Sequence, residues 1–181
     1  MDAGFMSLVT CRKGYWVIMM AGAPIDYIDR TKKQYEALGF QAYQWVENQT
    51  TVPLTPLRKP VSESKLALIA SGGIYALGQI AFHFKDDLSF REIDINTPQQ
   101  ALRASHFAYD LAPVRRDPNT VFPVAPLKAQ VAEGRLGSLS ERAYTFMGGI
   151  YSARKVKDIL APAIVHRLLK DQADLALLVP A

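Results

Sequence analysis

The stretch KLALIASGG, residues 65–73, decides the fold class. Its apolar run is typical of a strand buried on both faces, and the paired glycines Gly72 and Gly73 predict a tight turn at the strand's exit. A second run of this kind, LALLVP, lies at residues 175–180. Helical patterns separate the two runs. The sequence therefore predicts an α/β fold with a mainly parallel sheet flanked by helices, lacking its C-terminal elements.

Other segments supply the rest of this architecture. SFREIDI alternates in polarity and predicts a further strand at residues 89–95. A shorter strand is predicted at residues 119–124, and residues 41–46 are predicted to be either a short strand or an extended arm. Helices are predicted from apolar spacing and from their first and last residues; they lie at residues 24–40 (Pro24 at the start, Gly39 at the end), 97–110 (N-cap Thr97), 125–137 (ended at Gly134) and 153–172 (broken or kinked at Pro162).

Three regions follow from these patterns. Residues 1–20 are predicted to be a tail, either frayed or not native if translation begins at Met19 or Met20. Residues 21–60 form a helix and a proline-rich arm, and residues 61–181 form an incomplete α/β domain.

Composition excludes several classes of function. The net charge of +4 is spread along the chain, without the basic run or stripe of a nucleic-acid binder. No apolar run approaches the ~20 residues of a membrane-spanning helix. The single cysteine, Cys11, permits no internal disulfide and favours a reducing compartment. An apolar run after Arg12 and Lys13 resembles a signal peptide only loosely, so a cytoplasmic location is predicted.

The turn ASGGIYALG, residues 70–78, follows a strand, where phosphate-binding loops lie. It lacks both the Walker lysine and the spacing of a dinucleotide fingerprint. The pattern leaves two alternatives, a strand exit that needs positive φ and a site loop that binds no phosphate.

His106 is the histidine with the most suggestive surroundings. In SHFAYD, Asp110 lies four residues later, so on a helix the two would share a face with Tyr109 nearby. A carboxylate that fixes the imidazole tautomer would suit proton transfer, although a structural role stays open. One histidine with one carboxylate is too few ligands for a metal site, and none is predicted. His83 and His166 are predicted to be surface or packing residues.

Five segments in order resemble the glycine/betaine/sarcosine/D-proline reductase selenoprotein B family. They are TPLRKPVSESKLALIASGGIY (55–75), DDLSFREIDINT (86–97), ASHFAYD (104–110), NTVFPVAPLKAQVAEGRLGSLSERAYTFMGGI (119–150) and ADLALLVPA (173–181). This resemblance implies an oxidoreductase subunit that reductively cleaves the C–N bond of a small amino acid or amine.

The resemblance also implies where the nucleophile lies. In that family a selenocysteine or cysteine follows the strand that matches LLVPA, so the reactive residue is expected immediately after Ala181. Selenocysteine is encoded by UGA, normally a stop codon, and the sequence is therefore expected to be truncated at that point. The alternative is a catalytically silent binding or scaffold paralogue without a redox centre.

The matching positions supply the expected pocket. His106 and Asp110 take the catalytic roles, with His106 protonating the departing nitrogen. The expected substrate-binding residues are Asp87, Ser89, Arg91, Ser105, Tyr109, Gly72 and Gly73. Arg91 is expected either to bind a carboxylate or only to pair with Asp87 or Glu92. Phe146, Met147 and Gly148 belong to a further matching loop, where the first two are expected to pack.

The resemblance implies partners as well. A companion reductase subunit is expected, on which a pyruvoyl group helps to activate the substrate. A thiol or thioredoxin-like protein is expected to supply electrons, and the chain itself needs no other cofactor.

Overall fold

The computed structural model describes most of the chain. The described residues are 9–10, 16–17, 26–41, 49–51 and 55–181. They divide into two compact units, Met1–Thr50 and Thr51–Ala181.

In the first unit, β1 (Val9–Thr10) pairs antiparallel with β2 (Trp16–Val17), and α1 spans Tyr27–Ala37. The Asp26 carboxylate caps α1 by accepting a hydrogen bond from the Asp29 N–H at 3.1 Å. The helix predicted within residues 24–40 is confirmed, and Gly39 follows its end with φ +80°. Pro24, Cys11 and most of the strand predicted at residues 41–46 lie outside the described residues.

The second unit contains seven strands and four α-helices among its described residues. The strands are β3 (Lys65–Ala70), β4 (Ile74–Ala76), β5 (Phe90–Asp94), β6 (Leu102–Ala104), β7 (Ser138–Leu139), β8 (Arg142–Phe146) and β9 (Leu175–Val179). The helices are α2 (Leu111–Arg116), α3 (Val124–Ala132), α4 (Ala153–Lys155) and α5 (Ala161–Lys170). Three 3₁₀ turns occupy Val61–Glu63, Gln99–Ala101 and Pro118–Thr120.

The sheet is built around β3. Both β7 and β8 pair in parallel with one edge of β3, and β9 pairs in parallel with its other edge, from Leu66↔Leu175 to Ala70↔Val179. β5 is the antiparallel strand, next to β8. The predicted α/β fold with a mainly parallel sheet is confirmed. β9 is an outer edge of this sheet among the described residues.

Alternate side chains of β3 point to opposite faces of the sheet, and helices cover both faces. One face buries Leu68 and Ala70 in a cluster that includes Val114 of α2. The other face buries Ile69 with Leu160 and Ile164, at the helical segment near α5. The apolar run of residues 65–71 is therefore explained by burial on both faces.

The helical segment at residues 153–172 is confirmed, but Pro162 does not break it. A π-helical turn, Val156–Leu160, joins α4 to α5 immediately before the proline. Pro162 occupies the first turn of α5, where its missing N–H is tolerated. No helix within the described ranges is both long and apolar enough to cross a membrane.

Two predicted elements are wrong. The helix expected at residues 97–110 is a 3₁₀ turn followed by β6, because β6 pairs antiparallel with β4 and takes its backbone hydrogen bonds there. The strand expected at residues 119–124 is the end of a 3₁₀ turn and the start of α3. The strands predicted from KLALIAS, SFREIDI and LALLVP are confirmed as β3, β5 and β9. The helix ended at Gly134 is confirmed as α3, with φ +70° at that glycine. β4, β7 and β8 were not predicted from the sequence.

The start of β9 is fixed to β3 by Asp174. Its carboxylate accepts hydrogen bonds from Lys59 Nζ at 2.7 Å and from the Lys65 N–H at 2.8 Å. These two hydrogen bonds, first that from Lys59, lower the pKa of the Asp174 carboxyl below its usual value of 3.8.

We expect Asp174 to make stability depend on acid pH. A lowered pKa in the folded state stabilises the protein fully above the unfolded value, and this contribution is lost as pH falls through the folded value. The Asp174→Asn variant should therefore have a Tm a few degrees lower than the wild type at about pH 6, and the gap should close towards about pH 3. Thermal unfolding followed by circular dichroism measures both. Glu141→Gln removes an exposed charge without a hydrogen-bond partner among the described residues, and a pH profile like that of Asp174→Asn would contradict the prediction.

Candidate functional site

The turn at residues 71–73 lies at the carboxyl end of β3, where ligands of open α/β sheets bind. Ser71 joins three segments there. Its N–H donates to the Val179 carbonyl oxygen at 3.0 Å, and its own carbonyl accepts from the Gly148 N–H at 3.1 Å. Its Oγ accepts a hydrogen bond from the Ala181 N–H at 3.0 Å. The residues after β8 and those after β9 therefore converge on one serine.

Gly73 fixes how the chain leaves this turn. Its φ is +66°, and a Cβ on it would lie 2.0 Å from the Ser105 carbonyl oxygen. Gly73 also donates to the Phe146 carbonyl and accepts from the Ser105 N–H, each at 3.0 Å. The predicted need for positive φ is confirmed at Gly73, whereas Gly72 instead lacks space for a side chain because Val121 is adjacent.

His106 lies in the loop that follows β6. Its Nδ1 accepts a hydrogen bond from the Ala108 N–H at 3.0 Å. Its Nε2 is buried and has no partner among the described residues. Burial lowers the pKa of the imidazole below its usual value, so the ring is neutral at neutral pH. Leaving such a buried donor unpaired costs about 1–3 kcal/mol.

Nε2 faces the chain after β8. A Cβ built on Gly148 would lie 3.5 Å from His106 Nε2 and 3.4 Å from Ser71 Cβ. Gly148 has no side chain, so it leaves a gap of methyl size that borders both the imidazole and Ser71. We call this gap the Gly148 crevice.

Tyr109 and Ser105 hold the histidine loop against the turn. The Tyr109 hydroxyl donates to the Gly72 carbonyl oxygen at 2.7 Å, and its ring centroid lies 4.7 Å from that of His106. Burial raises the pKa of the Tyr109 hydroxyl, which keeps it protonated as a donor. Ser105 Oγ donates to the Phe82 carbonyl at 3.3 Å. Both side chains support the loop through backbone carbonyls.

Asp110 does not contact His106 in the way the sequence predicted. Residues 105–110 are not helical, so a spacing of four does not place the two side chains on one face. The Asp110 carboxylate instead caps α2 by accepting from the Ala112 N–H at 2.9 Å. The tautomer of His106 is set by the Ala108 N–H and not by a carboxylate.

Asp87, Ser89 and Arg91 form a separate cluster. Asp87 accepts hydrogen bonds from the N–H and Oγ of Ser89 and from the His83 N–H. Burial raises the pKa of the Asp87 carboxyl, but these bonds, aided by the charge of Arg91, outweigh it and leave that pKa below its usual value. The cluster is therefore ionised and internally satisfied.

Arg91 is bound within the same cluster. Its guanidinium donates to the Ile80 carbonyl and to Ser89 Oγ, each at 2.8 Å, and lies 4.3 Å from the Phe82 ring centroid. No hydrogen bond joins Arg91 to His106 within residues 55–181. Among the described residues Arg91 therefore donates to carbonyl and hydroxyl oxygens and forms no salt bridge with Asp87 or Glu92, while binding of a substrate carboxylate stays a prediction.

Ser71 was not predicted as a site residue, although a polar residue directly after a buried strand is a usable signal. Gly148 lies in a loop that matches the family, but its sequence predicted no role for it. His83 is exposed and stacks on Phe84, and His166 is exposed on α5. No group of three or more potential metal ligands occurs in the part of the chain that the structure describes.

Comparison with known proteins identifies the class. The sequence model of the glycine/sarcosine/betaine reductase selenoprotein B family matches residues 28–181. The chain therefore belongs to this family, as the resemblance implied.

A more specific relative is the D-proline reductase subunit gamma of Acetoanaerobium sticklandii (strain ATCC 12662 / DSM 519 / JCM 1433 / CCUG 9281 / NCIMB 10654 / HF). It is 29% identical over 124 residues, which are 68% of this chain and 51% of the relative. The matched region thus spans about half the length of that subunit. No solved structure matches the chain significantly.

Proposed function

We propose that the chain is part of a reductase subunit that cleaves the C–N bond of a small amino acid or amine by selenol or thiol chemistry. Its family and its relative, a subunit of D-proline reductase, support this proposal. The proposal includes a companion subunit, on which a pyruvoyl group activates the substrate, a thiol or thioredoxin-like electron donor, and a cytoplasmic location.

One observation carries the assignment of the reactive position. The Ala181 N–H donates to Ser71 Oγ, and Ser71 borders the same Gly148 crevice as His106 Nε2. A residue attached to Ala181 would therefore follow directly on a contact with Ser71, in the region of the buried ring nitrogen that lacks a partner among the described residues. We propose that this residue carries the selenium or sulfur.

The net reaction balances with a dithiol as reductant. The C–N bond breaks, carbon and nitrogen each gain a hydrogen, and two thiols lose two electrons and two protons to become a disulfide. A selenolate or thiolate at the position after Ala181 would supply the nucleophile for the displacement of nitrogen.

The described residues would act by positioning and by excluding water. Ser71 holds the end of β9 through its Oγ, and the Tyr109 hydroxyl holds the histidine loop on Gly72. His106 presents one buried N–H to the crevice. Asp87, Ser89 and Arg91 shape the neighbouring loop, and Asp110 contributes through the cap of α2.

The test begins with the nucleotide sequence that follows the Ala181 codon. The gene product translated through that codon, with selenocysteine or cysteine there, is combined with its companion subunit and a dithiol. We expect release of ammonia or amine, or ring opening, from one of glycine, sarcosine, betaine or D-proline. The matched control places serine at the same position and should be inactive.

Two outcomes would contradict the proposal. If the complete protein and its companion turn over none of these substrates, the reductase proposal fails and a silent binding subunit is favoured. A stop codon other than UGA without downstream coding sequence would argue against the proposed nucleophile.

A further inference from the structure

The imidazole of His106 is held in one tautomer. An N–H group can donate only to an unprotonated nitrogen, and the Ala108 N–H donates to Nδ1 at 3.0 Å. The neutral ring must then carry its hydrogen on Nε2. Protonating Nδ1 would set two N–H groups against each other, so this site favours the neutral ring and disfavours the imidazolium.

The Nε2–H group therefore points as a donor into a place where no protein acceptor meets it among residues 55–181. Buried side-chain polar atoms normally have partners. Within the same range only Ser140 Oγ is also buried without a hydrogen-bond partner. Ser140 lies at the other end of the sheet, where its N–H donates to the carbonyl oxygen of Leu66, near the start of β3. The unpaired donor at the ligand-binding end of the strands is thus a specific feature of the His106 loop.

The residue next to Nε2 is a glycine whose backbone does not need one. Gly148 has no positive φ, and a Cβ there would meet its neighbours at ordinary contact distances of 3.4–3.5 Å. Sterics would therefore accept alanine, whose methyl group would fill the Gly148 crevice. Because Nε2 itself is enclosed, an acceptor reaches it only where the His106 loop and the Gly148 backbone move apart, and a methyl group between them would oppose this approach.

We propose that His106 is a neutral hydrogen-bond donor to an anionic acceptor in the Gly148 crevice, either a carboxylate oxygen of a small amino acid or a selenolate or thiolate. The identity of the acceptor rests on the proposed function, whereas the donor role does not. This assignment replaces the role of proton donor to a leaving nitrogen that was expected for His106 from the sequence.

An anion fits this donor better than a neutral acceptor does. Hydrogen bonds in which one partner is ionised are shorter and stronger, and burial reduces the competition from water. The hydrogen bond from the Ala108 N–H and contact with the Tyr109 ring, whose centroid lies 4.7 Å away, restrict the orientation of the imidazole. Ser71, which borders the crevice, also binds the Ala181 N–H, so the position after Ala181 lies in the same region.

The first measurement needs no enzyme activity. Long-range ¹H–¹⁵N spectra of the 181-residue chain report which ring nitrogen of His106 carries the hydrogen. We expect the Nε2–H form throughout neutral pH. The Nδ1–H form, or an imidazolium at neutral pH, would overturn the proposal.

The second measurement uses acetate, glycine and D-proline as carboxylate probes. Their affinity is measured in every variant from the probe's own resonances, and the Nε2 resonance reports binding where His106 is retained. His106→Leu keeps the volume and removes the donor, so affinity should fall about 10- to 100-fold. His106→Gln restores an N–H donor and should recover most of it. Gly148→Ala should block the probe while the Nε2–H tautomer persists, and His166→Gln serves as the exposed control.

The two sources of the anion give different results. A carboxylate site responds to the probes in residues 1–181, whereas a chalcogen site responds only when a cysteine is appended after Ala181 and its thiol is ionised. If neither the carboxylate probes nor the appended cysteine perturbs the Nε2 resonance, the inference is overturned. Its failure is distinguishable from that of the proposed function, because a reductase could turn over with an unperturbed His106 and an anion could bind without turnover.

Discussion

Gly73→Ala is expected to cost at least about 3 kcal/mol of unfolding free energy, enough to unfold much of the protein. Two effects combine at this residue. The φ of +66° is unfavourable for alanine, and its Cβ would lie 2.0 Å from the Ser105 carbonyl oxygen. That oxygen belongs to backbone fixed by β6, so it has little freedom to move. Urea unfolding followed by circular dichroism or fluorescence measures the loss.

Gly78→Ala is the matched control. Its φ is +90°, yet nothing lies within 4 Å of the position that the alanine methyl group would take, so it isolates the backbone penalty of about 1–2 kcal/mol. The difference between the two variants then measures the clash with Ser105. Equal losses for both variants would show that the turn relaxes, and would contradict the close packing of the histidine loop on β3.

β3 and β9 were predictable because an unbroken apolar run is typical of a buried strand, whereas β7 and β8 of the same sheet were not predicted. Leu68 and Ile69 are adjacent, point to opposite faces and are both buried. In a strand with one exposed face, apolar and polar residues alternate, so two adjacent apolar residues indicate that both faces are buried. The edge strand β9 is equally apolar, although Leu178 is 68% exposed. An apolar run therefore indicates that a segment is a strand, but it does not show whether that strand lies at the centre or at the edge of the sheet.

The segment at residues 97–110 shows where local signals fail. Thr97 and Pro98 do begin a helical turn, but it ends at Ala101 as a 3₁₀ turn. Antiparallel pairing of β6 with β4 then satisfies the backbone hydrogen bonds that an α-helix would have satisfied. This pairing depends on where the turn after β3 sends the chain, and no local propensity encodes that.

The site was predictable as a set of residues but not as a set of contacts. His106 and Tyr109 do lie beside the Gly72–Gly73 turn, whereas Asp110 faces the start of α2. The D-x-S-x-R residues form their own network around the Phe82 ring. Spacing along the chain assigns neighbours only within regular elements, and these residues lie in or next to loops.

The geometry also changes the expected chemistry of the site. A histidine paired with a carboxylate is a base or an acid, since the carboxylate stabilises the imidazolium. A histidine that accepts a backbone N–H has no such stabilisation. His106 therefore belongs with the preorganised donors that stabilise negative charge, and burial strengthens that role.

His106→Leu is expected to reduce the turnover of the complete reductase about 100- to 1000-fold, the loss found when one preorganised donor to a reacting anion is removed. The protein should stay folded, because leucine fills a similar volume and the hydrogen bond that is lost comes from the N–H of the exposed Ala108, which water can satisfy. If the acceptor is a substrate carboxylate, KM should rise more than kcat falls. If it is the reacting chalcogen, kcat should carry the loss. Steady-state kinetics with the companion subunit and a dithiol separates these cases.

The controls make this result specific to the Nε2–H donor. His106→Gln should recover at least a tenfold part of the lost turnover, since an amide N–H can reach the same crevice, whereas a proton-transfer role would not be rescued by an amide. His83→Leu changes an exposed histidine outside the crevice and should keep turnover within about threefold of the wild type. If turnover by His106→Leu stays within about threefold of the wild type, His106 does not take part in the reaction. If His106→Gln recovers none of the lost turnover, the hydrogen-bond donor role is wrong.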